Sequence, residues 1–157
     1  MEQGQLIIEE GVEAISSRAY ERRKDITSVV FPLSLKKIFY KAFFGCENLR
    51  VIELPKNIEY LGGSAFSCTK AIIFVPASIK MIDEYAFSKD DIVFFECGKD
   101  DFTGYHVKEI DDCPPPDYYH RGPYSSEPIE KWCFERGCEM HFNCTYEEFL
   151  KYVKEHA

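Results

Sequence analysis

The most constraining feature of this sequence is a short segment that recurs at a nearly constant interval. An alanine followed by an aromatic residue occurs four times, with the alanines 23, 23 and 21 residues apart. The alanines of these pairs, and the prolines that keep the same register, are Ala19, Ala42, Ala65, Ala86, Pro32, Pro55 and Pro76. Periods of about 20–30 residues are typical of solenoids, so the sequence predicts a stack of similar units.

Within one unit the apolar pattern changes character. Val29 and Phe31 are apolar residues two positions apart, which is typical of a short strand with one face inward. The proline that follows ends the strand, because it has no N–H to donate. Over residues 35–43 the apolar spacing becomes helical. We therefore predict an α/β solenoid with short parallel strands on its concave surface and short helices on its convex side.

Residues 29–55, VVFPLSLKKIFYKAFFGCENLRVIELP, are similar to the BspA-like class of bacterial leucine-rich repeats. The pattern of that class is roughly L-x-x-V-x-I-P-x-x-V-x-x-I-x-x-x-A-F-x-x-C, and the resemblance covers residues 5–96. It implies a leucine-rich-repeat solenoid whose degenerate first and last units act as caps. It also implies a protein that engages other proteins. Members of the class are often exported, which we do not expect of this chain.

The outward positions of the strands form the candidate functional site. Seven of ten such positions, in two neighbouring columns, are apolar, whereas solvated sheet faces are normally polar. The candidate partner-binding residues are Val30, Val51, Glu53, Ile72, Phe74, Ile92 and Phe94. An apolar patch of this kind usually marks a contact surface. Its predicted cover is the C-terminal part of the chain, a second copy or a separate protein, with a small ligand as a further alternative.

The last third of the chain departs from the repeat. We predict a solenoid over residues 1–98, an acidic, proline-rich irregular connection over 99–125 and a helix–strand–helix cap over 126–157. Within that cap, a helix is expected over residues 127–136 and a strand over residues 138–142. A terminal helix opens with Thr145 and Glu148 as a capping box. This terminal helix is the best candidate to lie on the concave face or against a second chain.

One cluster of metal-ligand residue types is present, formed by Cys133, Cys138, His141 and Cys144. Zinc requires three or four such groups to converge, and the spacing C-x4-C-x2-H-x2-C matches no standard zinc motif. A strand over residues 138–142 would also turn Cys138 and His141 to opposite faces. We predict no metal and no cofactor, with a structural zinc site as the alternative. Because no nucleotide-binding or nucleophile motif occurs, we also predict that the protein is not an enzyme.

Charge and composition exclude further classes of function. The net charge is −8, of which residues 100–157 contribute −7, so a nucleic-acid backbone is not an expected partner. No run of about 18 apolar residues occurs, and the first residues lack the features of a signal peptide, so we predict no membrane association. Seven cysteines, an odd number, are expected to be thiols in a reducing cytoplasm. Cys46 and Cys68, which follow two of the alanine–aromatic pairs, are expected to be buried.

Overall fold

The computed structural model describes residues 4–83, 85–98, 101, 103–105 and 138–157. A first series of strands comprises β1 (Gln5–Ile7), β3 (Ser28–Val30), β5 (Val51–Glu53), β7 (Ile72–Val75), β9 (Ile92–Phe95) and β11 (Glu139–His141). A second series comprises β2 (Ala14–Ile15), β4 (Lys37–Ile38), β6 (Tyr60–Leu61), β8 (Met81–Asp83) and β10 (Thr103–Tyr105). One helix, α1, covers Tyr146–His156 near the end of the chain.

The strands of each series stack in parallel along the solenoid. The second series forms one continuous sheet in the order β10-β8-β6-β4-β2. The first series is divided into a β1-β3 pair and a four-stranded sheet, β11-β9-β7-β5. Alternate residues of these strands enter one core, which includes Ile52, Leu54, Ile73 and Val75. The predicted parallel solenoid is therefore confirmed.

The second segment of each unit differs from the predicted short helix, because it is an extended strand followed by turns. The residue before each alanine has a left-handed backbone, with φ of 60° at Arg18, 54° at Lys41, 57° at Ser64 and 61° at Tyr85. One left-handed residue is enough to interrupt a right-handed helix. Among the described residues of 4–98 there is consequently no helix.

Backbone hydrogen bonds between successive units replace the bonds that a helix would have made. The N–H groups of Tyr20, Phe43 and Phe66 donate to the carbonyl oxygens of Ala42, Ala65 and Ala86, at 2.9, 2.9 and 2.7 Å. In a helix the same donors would have been used within one unit. The convex turns are thus bonded from rung to rung like the strands, which keeps the donors satisfied without a helix.

The alanine–aromatic pairs pack the core between these turns. Three of the four alanines are fully buried, which lets the chain of one unit approach the next closely. The Phe43 ring stacks on Tyr20 at 5.3 Å and on Phe66 at 5.5 Å, measured between ring centroids. Aromatic stacking therefore runs along the solenoid axis through three consecutive units.

The two cysteines that follow these pairs have different environments. Cys46 is buried, as predicted, whereas Cys68 is exposed, so that prediction is wrong for Cys68. Cys46 lies four residues after Ala42, but Cys68 lies only three residues after Ala65. Thr69 therefore takes the buried position equivalent to Cys46. One residue of offset moves a side chain from the core to the surface of the turn.

Thr69 contacts a buried carboxyl group, that of Asp91. Asp91 Oδ1 accepts a hydrogen bond from Ala71 N at 2.9 Å, and Oδ2 accepts one from Ser88 N at 2.8 Å. Thr69 Oγ1 lies 2.8 Å from Asp91 Oδ1 and 2.8 Å from the Phe66 carbonyl oxygen. A hydroxyl has one proton to donate, so both short contacts are satisfied when Asp91 carries a proton of its own. Burial, which outweighs the donated hydrogen bonds, raises the pKa of Asp91 to about 7.

This carboxyl group should make stability depend on pH. Its native pKa of about 7 exceeds the unfolded value of about 3.9, so the native state binds the proton more tightly. The contribution is fully present below about pH 4 and is lost as the pH rises through about 7. We expect the free energy of unfolding of the native chain, measured with urea, to fall between pH 4 and pH 8. The part of this fall that comes from Asp91 should be absent in Asp91→Asn. Exposed Glu9, changed to Gln, is the matched control, because its carboxyl group lies outside the surroundings of Asp91. A pH profile unchanged by Asp91→Asn would contradict the protonated state.

The solenoid continues past residue 98, the boundary predicted from the sequence. Thr103–Tyr105 pairs with β8, and Glu139–His141 pairs with β9, each in parallel. Ile92 and its ladder partner Glu139 are 47 residues apart, about twice the repeat length. These two neighbouring rungs are therefore separated by about twice as many residues as the others. Most of the predicted irregular connection, and the helix predicted over residues 127–136, lie outside the described residues.

Candidate functional site

The seven candidate contact residues lie on one face of the first series of strands. The ladder pairs Glu53 with Phe74 and Phe74 with Phe94, and it continues to His141. A second column pairs Val51, Ile72 and Ile92 in the same way and ends at Glu139. Val30 belongs to the pair of strands that precedes these columns. The residues between them point into the core, so strand alternation separates the two faces as expected from the sequence.

Helix α1 covers the part of this face that lies over β7 and β9. The helix begins at Thr145, whose side chain accepts a hydrogen bond from Glu148 N at 3.1 Å, so the predicted start of the terminal helix is confirmed. Phe149 is fully buried, with its ring centroid 5.3 Å from that of Phe74 and 6.0 Å from that of Phe94. Ile72, Phe74 and Phe94 are buried beneath the helix. Of the predicted covers, the intramolecular one is present over this area.

The two flanks of α1 face different ends of the solenoid. On one flank, Tyr146 Oη donates to Glu53 Oε2 on β5 at 3.0 Å. Burial, followed by this bond to a carboxylate, raises the pKa of Tyr146. On the other flank, the ring centroid of Tyr152 lies 5.1 Å from that of Phe94 on β9. Tyr146 and Leu150, one helical turn apart, therefore border the part of the concave face that α1 leaves open.

The open part lies over β1, β3 and β5 and exposes large apolar side chains beside polar ones. Ile7, Val30 and Leu33 are 50%, 46% and 53% exposed. A groove of about 420 Å³ is lined by residues of β3 and β5, among them Val30 and Val51, and by Leu33 in the turn after β3. We call this region, bordered by the Tyr146–Leu150 flank, the open groove. Of the seven candidate residues, Val30, Val51 and Glu53 line the groove. Ile72, Phe74 and Phe94 lie under α1, and Ile92 packs against the same cluster.

Leu33 belongs to this surface but was not among the candidate residues. It follows Pro32, at a position occupied by Lys56 and Ala77 in the next two units. The equivalent turn positions carry a charge or a methyl group, whereas Leu33 is large and apolar. This contrast is the sequence signal that would have identified Leu33. Ile7 occupies an outward position in the same column as Val30, and the structure pairs the two residues directly.

The cysteines and histidine of the C-terminal segment are dispersed within the described chain. Cys138 packs in the main core, and Cys144 packs beneath α1. The His141 ring stacks on Phe94 at 4.7 Å, on the opposite face from Cys138. Among the described residues, no three His, Cys, Asp or Glu side chains are placed to share a metal ion. Cys133 lies outside the described residues, so a zinc site that includes it stays a prediction.

No helix of the described ranges is long and apolar enough to cross a membrane. The 11 residues of α1 correspond to about half of the length that a membrane span requires.

A stack of parallel strands with apolar residues in a fixed register defines the protein as a leucine-rich-repeat solenoid. The BspA type leucine rich repeat region matches residues 2–104 in six copies, and the chain belongs to this family. The matched region includes β10, which agrees with the extension of the solenoid beyond residue 98. No curated protein and no solved structure matches the chain. Proteins of this repeat class commonly bind other proteins and are generally not enzymes.

Proposed function

We propose that this protein is a non-enzymatic protein-interaction module whose partner binds the open groove of the concave face. The observation that carries the proposal is the position of its exposed apolar side chains. The large apolar residues that are exposed in the described chain are Ile7, Val30, Leu33, Tyr146 and Leu150. The first three belong to the groove and its rim, and the last two to the flank of α1 beside it. Concentrated apolar exposure of this kind typically marks a binding surface.

The candidate residues divide into two groups under this proposal. Val30, Val51 and Glu53 contact the partner directly. Ile72, Phe74, Ile92 and Phe94 support α1 and become accessible to a partner only where the helix moves away. The polar members of the groove, Glu53 among them, orient the partner, and the apolar members supply the binding energy.

The rest of the proposal concerns the setting in which the module works. We propose a cytoplasmic protein, because an odd set of seven cysteines is typical of free thiols in a reducing compartment. We further propose that it acts without a cofactor and without binding nucleic acid or membranes, since its net charge is −8 and its exposed apolar surface is a local groove.

Comparative affinity capture tests the proposed surface. The native chain, Val30→Glu and Ser16→Glu are immobilised, and proteins retained from a lysate of the source cell are compared. Val30→Glu places a charge in the groove, whereas exposed Ser16 directly follows β2 and is not one of the residues that line the groove. We expect a protein other than the chain itself to be retained by the native chain and by Ser16→Glu.

Val30→Glu should weaken the affinity for that protein at least about tenfold, measured with the purified partner. Equal retention by all three baits would contradict the assignment of the groove. Circular dichroism of each variant shows whether its fold is intact.

A further inference from the structure

We propose that the open groove docks a second copy of this chain, so that the Tyr146–Leu150 flank of each copy enters the groove of the other. This inference rests on the proposed function, because it names a partner for the same face. It follows from the arrangement of the apolar side chains, from the direction of α1 and from the charges at the two ends of the groove.

A ridge and a groove of similar chemistry lie side by side in one protein. The ridge consists of Tyr146 and Leu150, of which Leu150 is 41% exposed. The groove contains Val30, with Ile7 beside it in the ladder and Leu33 at its rim. The bond from Tyr146 Oη to Glu53 Oε2 fixes the ridge beside the strand that forms one wall of the groove. A surface with both shapes is complementary to itself.

Twofold symmetry requires this kind of self-complementarity. In an isologous contact, if residue i of one copy touches residue j of its partner, then residue j also touches residue i. If the ridge of one copy enters the groove of its partner, the ridge of the partner therefore enters the groove of the first copy. A foreign partner would need only one of the two shapes, so the pairing of a ridge with a groove favours a second copy.

The helix runs antiparallel to the strands beneath it. Phe149 lies on the column formed by Phe74 and Phe94. Val153, one turn later, packs in the same cluster as Ile92, which lies two residues earlier in its strand than Phe94. Cys144 N, just before the helix, donates to Phe95 O at 2.9 Å, so the first turn of α1 lies at the carboxyl ends of the strands and its later turns run toward their amino ends.

The helix brings opposite charges to the two ends of the groove that it borders, with Glu147 and Glu148 in its first turn and Lys154 and His156 in its last turn. Lys56 and Glu155, which are exposed and of opposite sign, lie near the same two ends and offset part of this asymmetry. When two copies meet with antiparallel helices, the acidic end of each copy faces the basic end of the other. Complementary charges of this kind fix the orientation of a complex more than its affinity. The observed distribution suits an antiparallel pair of identical chains.

The solution mass of the purified full-length chain tests the inference. Light scattering over chain concentrations from about 1 µM to about 500 µM covers weak self-association, with dissociation constants in the micromolar range. We expect the mass to rise from 18.3 kDa toward twice that value. Val30→Glu and Leu150→Lys should each weaken dimerisation at least about tenfold, because each substitution disrupts two symmetric contacts. Ser16→Glu, the matched control, should dimerise like the native chain.

A mixture of the two variants tests the pairing itself. When Val30→Glu meets Leu150→Lys, one of the two contacts is native and the other joins a new glutamate to a new lysine. The mixture should therefore dimerise, whereas each variant alone stays monomeric. If Val30→Glu fails to fold, as judged by circular dichroism, Ile7→Glu replaces it, because Ile7 is 50% exposed.

A native chain that stays at 18.3 kDa over the whole range would overturn the inference, as would a mixture that remains monomeric. A dimer that survives both variants would also overturn it. The proposed function fails separately. A monomeric chain that captures a different protein through Val30 retains that function, and a dimer that captures nothing else retains only the self-association.

Discussion

Replacing Phe149 with alanine is expected to release α1 from the concave face while leaving the solenoid folded. Phe149 is the one fully buried residue of the helix, and its ring contacts Phe74 and Phe94. Truncating a buried phenylalanine typically costs about 3–5 kcal/mol. An isolated helix of 11 residues has little stability in water. Hydrogen exchange should therefore show a loss of amide protection over Tyr146–His156, with the strand amides still protected.

Leu150→Ala is the matched control for this prediction. It removes an apolar side chain from the adjacent position of the same helix, but one that is 41% exposed. We expect the amides of α1 to stay protected in this variant. If Phe149→Ala leaves those amides protected, the helix does not depend on Phe149. If the variant unfolds the strands as well, the helix and the solenoid form a single cooperative unit.

Replacing Phe43 with alanine is expected to destabilise the solenoid itself. Phe43 is fully buried, lies between Tyr20 and Phe66, and also meets Phe31 edge to face at 5.8 Å. The cavity would therefore interrupt packing across three neighbouring units, at a cost of about 3–5 kcal/mol in the free energy of unfolding. Domains are typically stable by about 5–15 kcal/mol, so the loss should be large in urea denaturation.

Phe44→Ala, at the adjacent position, is the comparison for Phe43→Ala. The Phe44 ring lies under the charged groups of Arg22, at 5.5 Å, and of Lys41, at 4.7 Å, and it is only partly buried. We expect its loss to cost about 1 kcal/mol, because cation–π contacts at exposed sites contribute about 0.5–1 kcal/mol. Equal losses from the two substitutions would show that stacking along the solenoid axis is not the main source of stability.

The repeat, the strands and the direction of their side chains were predictable because each follows from local pattern. Alternation along a strand decides that Ile73 is buried in the core and that Phe74 lies on the other face. The extended second segment was less predictable. Apolar residues spaced as over 35–43 suit a helix, and neither Lys41 nor Tyr85 is a residue type that indicates a left-handed backbone. Hydrogen bonding between units, which a single unit does not reveal, decides this conformation.

The candidate site was predictable as a face but not as a groove. Its columns follow from the repeat spacing, and the terminal helix was the best candidate to cover it. The area that the helix leaves open depends on where α1 lies, which is set by the contact of Tyr146 with Glu53 and of Phe149 with Phe74. These residues are more than 70 positions apart in the sequence, and no local pattern links them.

The division of the first series of strands has a mechanical consequence. In the described chain no ladder joins β3 to β5, whereas β2, β4 and β6 belong to one continuous sheet. The first two units are therefore joined to the rest by the second series of strands, by the hydrogen bonds of the convex turns and, beside the groove, by the bond from Asn57 Nδ2 to the Leu33 carbonyl oxygen at 2.9 Å. Separating β3 from β5, between Val30 and Val51, breaks no strand-to-strand hydrogen bond. The open groove is therefore the place where this solenoid changes its curvature most easily.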